Sequence, residues 1–327
     1  MAAQSSDAEP DEEPGGDSRW HHGAGLVRVT AMDLAVLARH MLLYPTGILP
    51  ERAPDPGVPA PAGEDPEGET DPETARDLPG DPGKSTREPA DIAAAKPGRT
   101  AAAGEGGPKP AVPPAGEGRA QPPVLLLHGF VDNRSAFGML RRSLLANGWS
   151  WVQALNYSPL TTDIRAAAET LGTHVEQICE QSGKRRVDIV AHSLGGLVAR
   201  YYVQRLGGDA RVRTLVTLGT PHSGTRAVPA LSPHPLARQM RPGSEVLTEL
   251  AEPAHGCRTR FVAFWSDLDQ VMIPAEAARL DHPDLRAENI KVSGIGHLSL
   301  PVHGAVAAEI RHALCGQGPL PGALDAA

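Results

Sequence analysis

Ser193 stands where two sequence rhythms meet. Before it, Val187-Asp188-Ile189-Val190-Ala191 is mostly apolar and partly β-branched, the pattern of a buried strand end. After it, Leu194, Leu197, Val198 and Tyr201 recur at helical spacing. A serine on such a strand-to-helix hairpin is held in a strained turn, with its oxygen exposed above the sheet edge. Small residues at 191, 195 and 196 fit this turn, because side-chain bulk there would meet the crossing backbone. The first N–H groups of the new helix point at whatever negative charge forms beside the hydroxyl. A serine hydroxyl attacks only when a neighbouring base takes its proton, and that base, usually histidine, must be oriented by a buried carboxylate. Downstream, the chain offers His297 in Ser293-Gly294-Ile295-Gly296-His297-Leu298. It also offers two aspartates, Asp267 and Asp269, ahead of Ile273-Pro274.

The composition changes abruptly at residue 122, where the elements that must carry these groups begin. Val124 to Leu127 is a continuous apolar run, as expected of a strand covered on both faces. A helix from about 134 to 146 ends at Asn147-Gly148. Then follow a strand at Trp151–Leu155, a helix over 163–181, and the strand and helix around Ser193. A strand at Val212–Leu218 leads into Gly219-Thr220-Pro221-His222, and a looser segment comes after it. The rest reads as a strand at Arg260–Trp265, a short helix near 275–280, a strand at Ile290–Val292 and a last helix from 301 to 314. The alternation argues an α/β fold, a mostly parallel sheet of about six strands with helices on both faces.

On Ala191-His192-Ser193-Leu194-Gly195, with its strand and helix, the chain resembles the α/β-hydrolase family, specifically the small lipase and esterase branch. Alanine in place of the commoner first glycine resembles the variant of compact bacterial lipases. The resemblance implies the order Ser, Asp, His along the chain. Its closing Gly-x-Gly-His segment matches Gly294 to His297, which makes His297 the base, with His303 in reserve. The family places its acid shortly before a Val-Pro or Ile-Pro step, which favours Asp269 and leaves Asp267 to cap the loop. Asp188, upstream of Ser193, is read as structural. The oxyanion donors implied are the N–H groups of Leu194 and, from His128-Gly129-Phe130, of Phe130. His128 is read as a brace for that loop and His192 as packing under the elbow. Both, with Met240 and Leu247, are also candidate substrate contacts. Thr220-Pro221-His222-Ser223-Gly224-Thr225 resembles the Thr-Pro-His-x-Gly-Thr wall of bacterial lipases. Residues 226–258 form a candidate lid, in which Met240, Val246, Leu247 and Leu250 fit an acyl pocket or plain core equally.

Outside the catalytic stretch of 122–315 the chain reads differently. Residues 1–19 are acidic with hardly an apolar side chain, the Pro/Gly-rich stretch 48–121 reads as a linker, and 316–327 as a tail; residues 1–29, the linker and the tail are expected to be disordered. No secretory signal is visible. Residues 30–47 read as an amphipathic helix, with Thr30 and Asp33 as a capping pair and Leu34, Leu37, Met41 and Tyr44 on one face. Asp33, Arg39 and His40 rule out a membrane span, so the helix either packs on the catalytic domain or touches a membrane surface through 30–44. A net charge of −8 gives no case for nucleic acid. Three distant cysteines fit a reduced chain or at most one disulfide, and with the missing signal they favour the cytoplasm. High Ala, Gly, Pro and Arg with little Lys looks actinobacterial. The expectation is a serine hydrolase of lipid or other carboxylic esters, needing no metal or organic cofactor. A thioesterase or acyltransferase with the same triad is the alternative, and a non-catalytic binding protein the rival from another class.

Overall fold

The computed structural model describes residues 30–36, 121–130, 132, 134–156, 162–229 and 232–316. The expected disorder of 1–29, nearly all of the linker 48–121 and the tail beyond Gly316 lie outside the described residues. So do Leu37, Met41 and Tyr44 of the first helix.

Six strands form one parallel sheet among the described residues: β1 (Val124–Leu127), β2 (Val152–Leu155), β3 (Val187–His192), β4 (Val212–Leu218), β5 (Arg260–Ser266) and β6 (Arg286–Val292). Their order is β2-β1-β3-β4-β5-β6, so β3 is an interior strand, with Ile189 beside Leu125 and Leu215. Successive side chains of a strand point to opposite faces, and here both faces are dry. Leu125, Leu127, Ile189, Leu215 and Phe261 pack under α3 (Ile164–Ser182) and α4 (Leu194–Arg205). Val124, Leu126, Val190, Val216 and Val262 pack under α2 (Gly138–Ala146) and α7 (Gly304–Leu314). Each fully buried Leu, Ile or Phe contributes roughly 1.5–3 kcal/mol, which is why unbroken apolar runs mark these strands.

Helix α3 starts on Asp163, whose carboxylate accepts the Arg165 N–H at 2.7 Å, and stops at Gly183, whose φ of 65° only glycine adopts freely. Asp188 is buried inside β3 and takes a bidentate contact from the Arg213 guanidinium at 2.9 and 2.5 Å. The three cysteines are free thiols.

Three expectations need correction. β6 begins at Arg286, four residues earlier than its apolar end suggests, because an edge strand with polar Arg286, Glu288 and Lys291 shows no hydrophobic run. The segment 226–258 is not uniformly loose: it holds α5 (Pro235–Gln239) and α6 (Glu245–Ala251). Helix α6 is tied to α4, with Arg200 donating to the Leu250 carbonyl at 2.9 Å and Tyr201 to Glu249 at 2.6 Å. Finally, α1 (residues 30–36) does not use Thr30 and Asp33 as the expected cap. Thr30 is already helical, and the Asp33 carboxylate accepts from Ser299 instead. Its apolar Met32 and Leu34 are exposed, Leu34 by 60 %.

Candidate active site

All six strands run the same way, so their C-terminal ends share one edge, where ligands of open α/β sheets bind. β3 delivers Ser193 there. Ser193 has φ 51° and ψ −122°, and among the described residues no other non-glycine has a positive φ. Such a conformation costs about 1–3 kcal/mol and persists only where its surroundings fix it. They do: the Ser193 N–H donates to the Leu218 carbonyl at 2.9 Å. Its own carbonyl accepts from the Gly196 N–H and the Thr220 hydroxyl, both at 3.0 Å. A Cβ at Gly196 would overlap Thr220, so the small residue follows from this clamp. At Gly129 a Cβ would come within 3.2 Å of Ser193 Cβ, which shows how closely the loop after β1 crosses the elbow.

His297 follows β6, and Asp269 follows β5. Their contact is direct: His297 Nδ1 lies 2.8 Å from Asp269 Oδ2, both residues being buried. The other carboxylate oxygen of Asp269 accepts the N–H groups of Val271 at 2.9 Å and Met272 at 3.0 Å. Burial pushes the Asp269 carboxyl up, but His297 and these two N–H groups outweigh it and hold the pKa below the usual aspartate value. Burial likewise works against imidazolium at His297. Asp269 foremost, then Asp132 and Asp33, reverse that and raise its pKa. Because a carboxylate oxygen only accepts, the neutral ring carries its proton on Nδ1 and leaves the Nε2 lone pair free for chemistry.

Ser193 and His297 line one cavity of about 600 Å³, of the size that small-molecule sites have. Its wall is mostly apolar, with Val228, Ala237, Met240, Val271 and Leu298 prominent. Phe130 is at its mouth, 37 % exposed and edge-on to His234 at 4.7 Å between ring centroids. Leu194 opens α4, whose first N–H groups have no partner within the helix.

The remaining candidates divide. Met240 lines the cavity; Leu247 does not, and is buried on α6 in the core beneath α4. His192 reaches the cavity, its Nε2 donating to the His297 carbonyl at 3.1 Å and its Nδ1 lying 3.2 Å from Asp132. His128 is not in the lining; its Nδ1 donates to the Gly129 carbonyl of its own loop at 2.8 Å, and burial lowers its pKa. Asp267 does not approach His297 but pairs with Lys291 at 3.0 Å. His303 stands at the start of α7, outside the cavity lining. In the Thr220–Thr225 wall, Thr225 lines the cavity and donates to the Val271 carbonyl at 2.6 Å, whereas His222 is turned into the protein on Thr217. Asp132 and Asp33 were missed. Asp132 had a faint signal, an acid four residues after His128; Asp33 had none near the site.

The strand order, the strained serine after an interior strand and the His–Asp pair at the same edge define an α/β-hydrolase fold. A family model described as palmitoyl protein thioesterase matches residues 123–276, which takes in Ser193 and Asp269 and stops before His297. A triacylglycerol lipase of Pseudarthrobacter phenanthrenivorans is 28 % identical over 110 residues. That stretch is 32 % of this chain, and the chain spans about a third of that relative, 34 % of its length. Aspergillus fumigatus lipase B superposes with a TM-score of 0.53 at 17 % identity, over 61 % of this chain and 54 % of that one. Bacillus licheniformis lipase BlEst2 in its propeptide form gives 0.52 at 20 % identity, over 61 % and 51 %. The structural likenesses bear on the fold. Among the described residues no helix is long and apolar enough to cross a membrane.

Proposed function

We propose that the protein is a serine hydrolase that cleaves carboxylic esters with apolar acyl groups, as a lipase or esterase does. One observation carries the reading: a serine in a strained elbow shares an apolar cavity with a histidine whose other nitrogen rests on a buried aspartate. Ser193 Oγ attacks the ester carbonyl while His297 Nε2 takes its proton. Asp269 stays ionised, fixes the tautomer and stabilises the imidazolium. The N–H groups of Phe130 and Leu194 meet the charge that grows on the carbonyl oxygen. His297 then protonates the departing alkoxide, and water, activated by the same imidazole, releases the acid and frees Ser193. The acyl chain lies along Val228, Ala237, Met240 and Leu298.

A second reading is favoured by the family model: the same machinery acts on thioesters. A thiolate leaves with less help from the imidazole than an alkoxide does, so the triad serves either substrate. The test compares p-nitrophenyl esters of graded chain length with acyl thioesters, using the full chain and Ser193→Ala. Faster turnover of apolar esters, lost in the variant, supports the first reading; a clear preference for thioesters moves the assignment to the second. Equal rates for wild type and variant on every substrate would remove Ser193 as the nucleophile.

A further inference from the structure

We infer that Asp33, on α1, is a positioning residue for His297: it pins the loop that carries the imidazole and adds a fixed negative charge beside it. Its effect on turnover rests on the hydrolase reading above; the contact itself does not. Asp33 Oδ1 accepts two hydrogen bonds from Ser299, the N–H at 3.1 Å and the hydroxyl at 2.7 Å. Ser299 is buried and lies two residues after His297, so the contact fixes the C-terminal side of the loop.

The N-terminal side carries the imprint of the same carboxylate. Gly294 has a φ of 74° and needs to be glycine for its backbone, but Gly296 has no such conformation. What a Cβ at Gly296 would strike is the Asp33 carboxylate, all three of whose heavy atoms crowd that point. The glycine beside the imidazole thus makes room for a residue more than two hundred and fifty positions upstream. A second contact ties α1 to the other loop of the pair: the Thr30 hydroxyl accepts from Gln270 Nε2 at 2.7 Å, and Gln270 directly follows Asp269. Helix α1 therefore holds both the segment bearing the acid and the segment bearing the base.

The charge of Asp33 acts in the same place. Among the described residues the charges that act on the His297 imidazole are Asp269, Asp132 and Asp33, and the His192 ring packs beside it, its centroid 4.7 Å away. Asp269 is hydrogen-bonded to the ring, whereas Asp33 is hydrogen-bonded to Ser299 of the loop and acts on the ring through space. Removing its charge lowers the imidazole pKa, because the cationic form loses a favourable neighbour. A general base works when neutral, so the acid limb of kcat/KM moves to lower pH. Loosening the loop does something separate: it lowers the plateau, since small misplacements of a catalytic group are costly.

The test uses the full chain with Asp33→Asn, Asp33→Ala, Ser299→Ala, Gly296→Ala and the Asp33→Ala/Ser299→Ala and Asp33→Ala/Gly296→Ala doubles. Each is assayed on a p-nitrophenyl ester across pH. In parallel, the His297 ring is titrated by NMR on histidine-labelled protein, its signal assigned by loss in His297→Gln. Asp33→Ala is expected to lower kcat roughly ten- to hundredfold with little change in KM. Asp33→Asn keeps an acceptor for Ser299 and so loses less rate, but its acid limb and its imidazole midpoint both move to lower pH. The Ser299→Ala loss is expected to shrink in the Asp33→Ala background, and so is the Gly296→Ala loss. Unchanged plateau, limb and midpoint in both Asp33 variants, with additive doubles, overturn the inference while wild-type activity keeps the hydrolase reading. Should wild type cleave no ester or thioester, the hydrolase reading fails, and the NMR midpoint of Asp33→Asn still decides whether Asp33 governs His297.

Discussion

The elbow at Ser193 and the rim that carries Asp269 and His297 share one sheet edge, yet different parts of the chain hold them. The elbow is fixed mainly by backbone. Its bonds run to the Leu218 carbonyl, the Gly196 N–H and the Thr220 hydroxyl, all on β4, α4 or the turn after β4. The rim is fixed by side chains brought from far apart: Asp269 on His297, His192 between Asp132 and the His297 carbonyl, and Asp33 on Ser299. An elbow built this way keeps its shape without a titrating side chain and leaves little room for a Cβ at Gly129 or Gly196. An imidazole held the other way takes its proton affinity from the charges around it, Asp33 far upstream in the chain among them.

That contrast predicts unequal losses. Ser193→Ala removes the proposed nucleophile and leaves the elbow's backbone bonds in place, so at least a roughly thousandfold fall in kcat/KM is expected with the melting temperature nearly unchanged. A stable variant with normal turnover would take the elbow out of catalysis. Asp269→Asn is expected to cost about one to two orders of magnitude less than loss of the serine. The amide oxygen keeps the Val271 and Met272 N–H groups, so its NH2 faces His297 Nδ1 and drives the proton to Nε2, the wrong tautomer. Kinetics of the two variants side by side measure the difference between the two regions.

The sheet was legible because strands buried on both faces leave apolar runs: β1 and β4 appear in the sequence with the ends they have in space. Ser193, Asp269 and His297 were legible because each closes a strand within a few residues. What the sequence hid was the support. Asp33 lies in a segment whose pattern advertised an apolar face, while its polar side makes the contact, and no local periodicity encodes a bond to Ser299. Helix α6 is seven residues long, too short for a strong helical signal; its place is set by Arg200 and Tyr201 of α4. Met240 and Leu247 were indistinguishable by spacing: both belong to the core, but Met240, just past the end of α5, also reaches the cavity wall, and Leu247 on α6 does not.

The rim, unlike the elbow, should make stability depend on pH. The Asp269 pKa is held below its ordinary value, so its contribution is present above the unfolded carboxylate range and lost as pH falls through the folded value. The His297 pKa is raised, so its contribution is full below the unfolded histidine value and lost as pH rises through the folded one. The pair therefore stabilises most between those limits, and the neutral imidazole that the proposed mechanism needs grows in as the alkaline loss begins. Melting temperatures across pH are expected to decline on the alkaline side of that window more in wild type than in His297→Gln. Parallel curves would mean that the imidazole does not couple folding to protons.

The smallest effect separates two aspartates only two residues apart. Asp267 belongs to the same loop as Asp269 but reaches outward, 3.0 Å from Lys291 Nζ, with side chains 37 % and 49 % exposed. The Ser293 hydroxyl donates to it at 3.4 Å. An ion pair in that setting is worth about 0–1 kcal/mol, and Lys291 keeps its place over the Trp265 ring at 5.6 Å when the pair is broken. Asp267→Asn should therefore change stability by less than about 1 kcal/mol and kcat/KM by no more than about threefold. Strand alternation would put residues two apart on the same side, but β5 ends at Ser266 and the chain turns there, the Asp269 N–H donating to the Ser266 carbonyl at 3.4 Å, so the two carboxylates part toward Lys291 and His297. A loss at Asp267 as large as that at Asp269 would show that the loop moves as a unit on binding substrate, and that the rim is defined by its backbone as much as the elbow is.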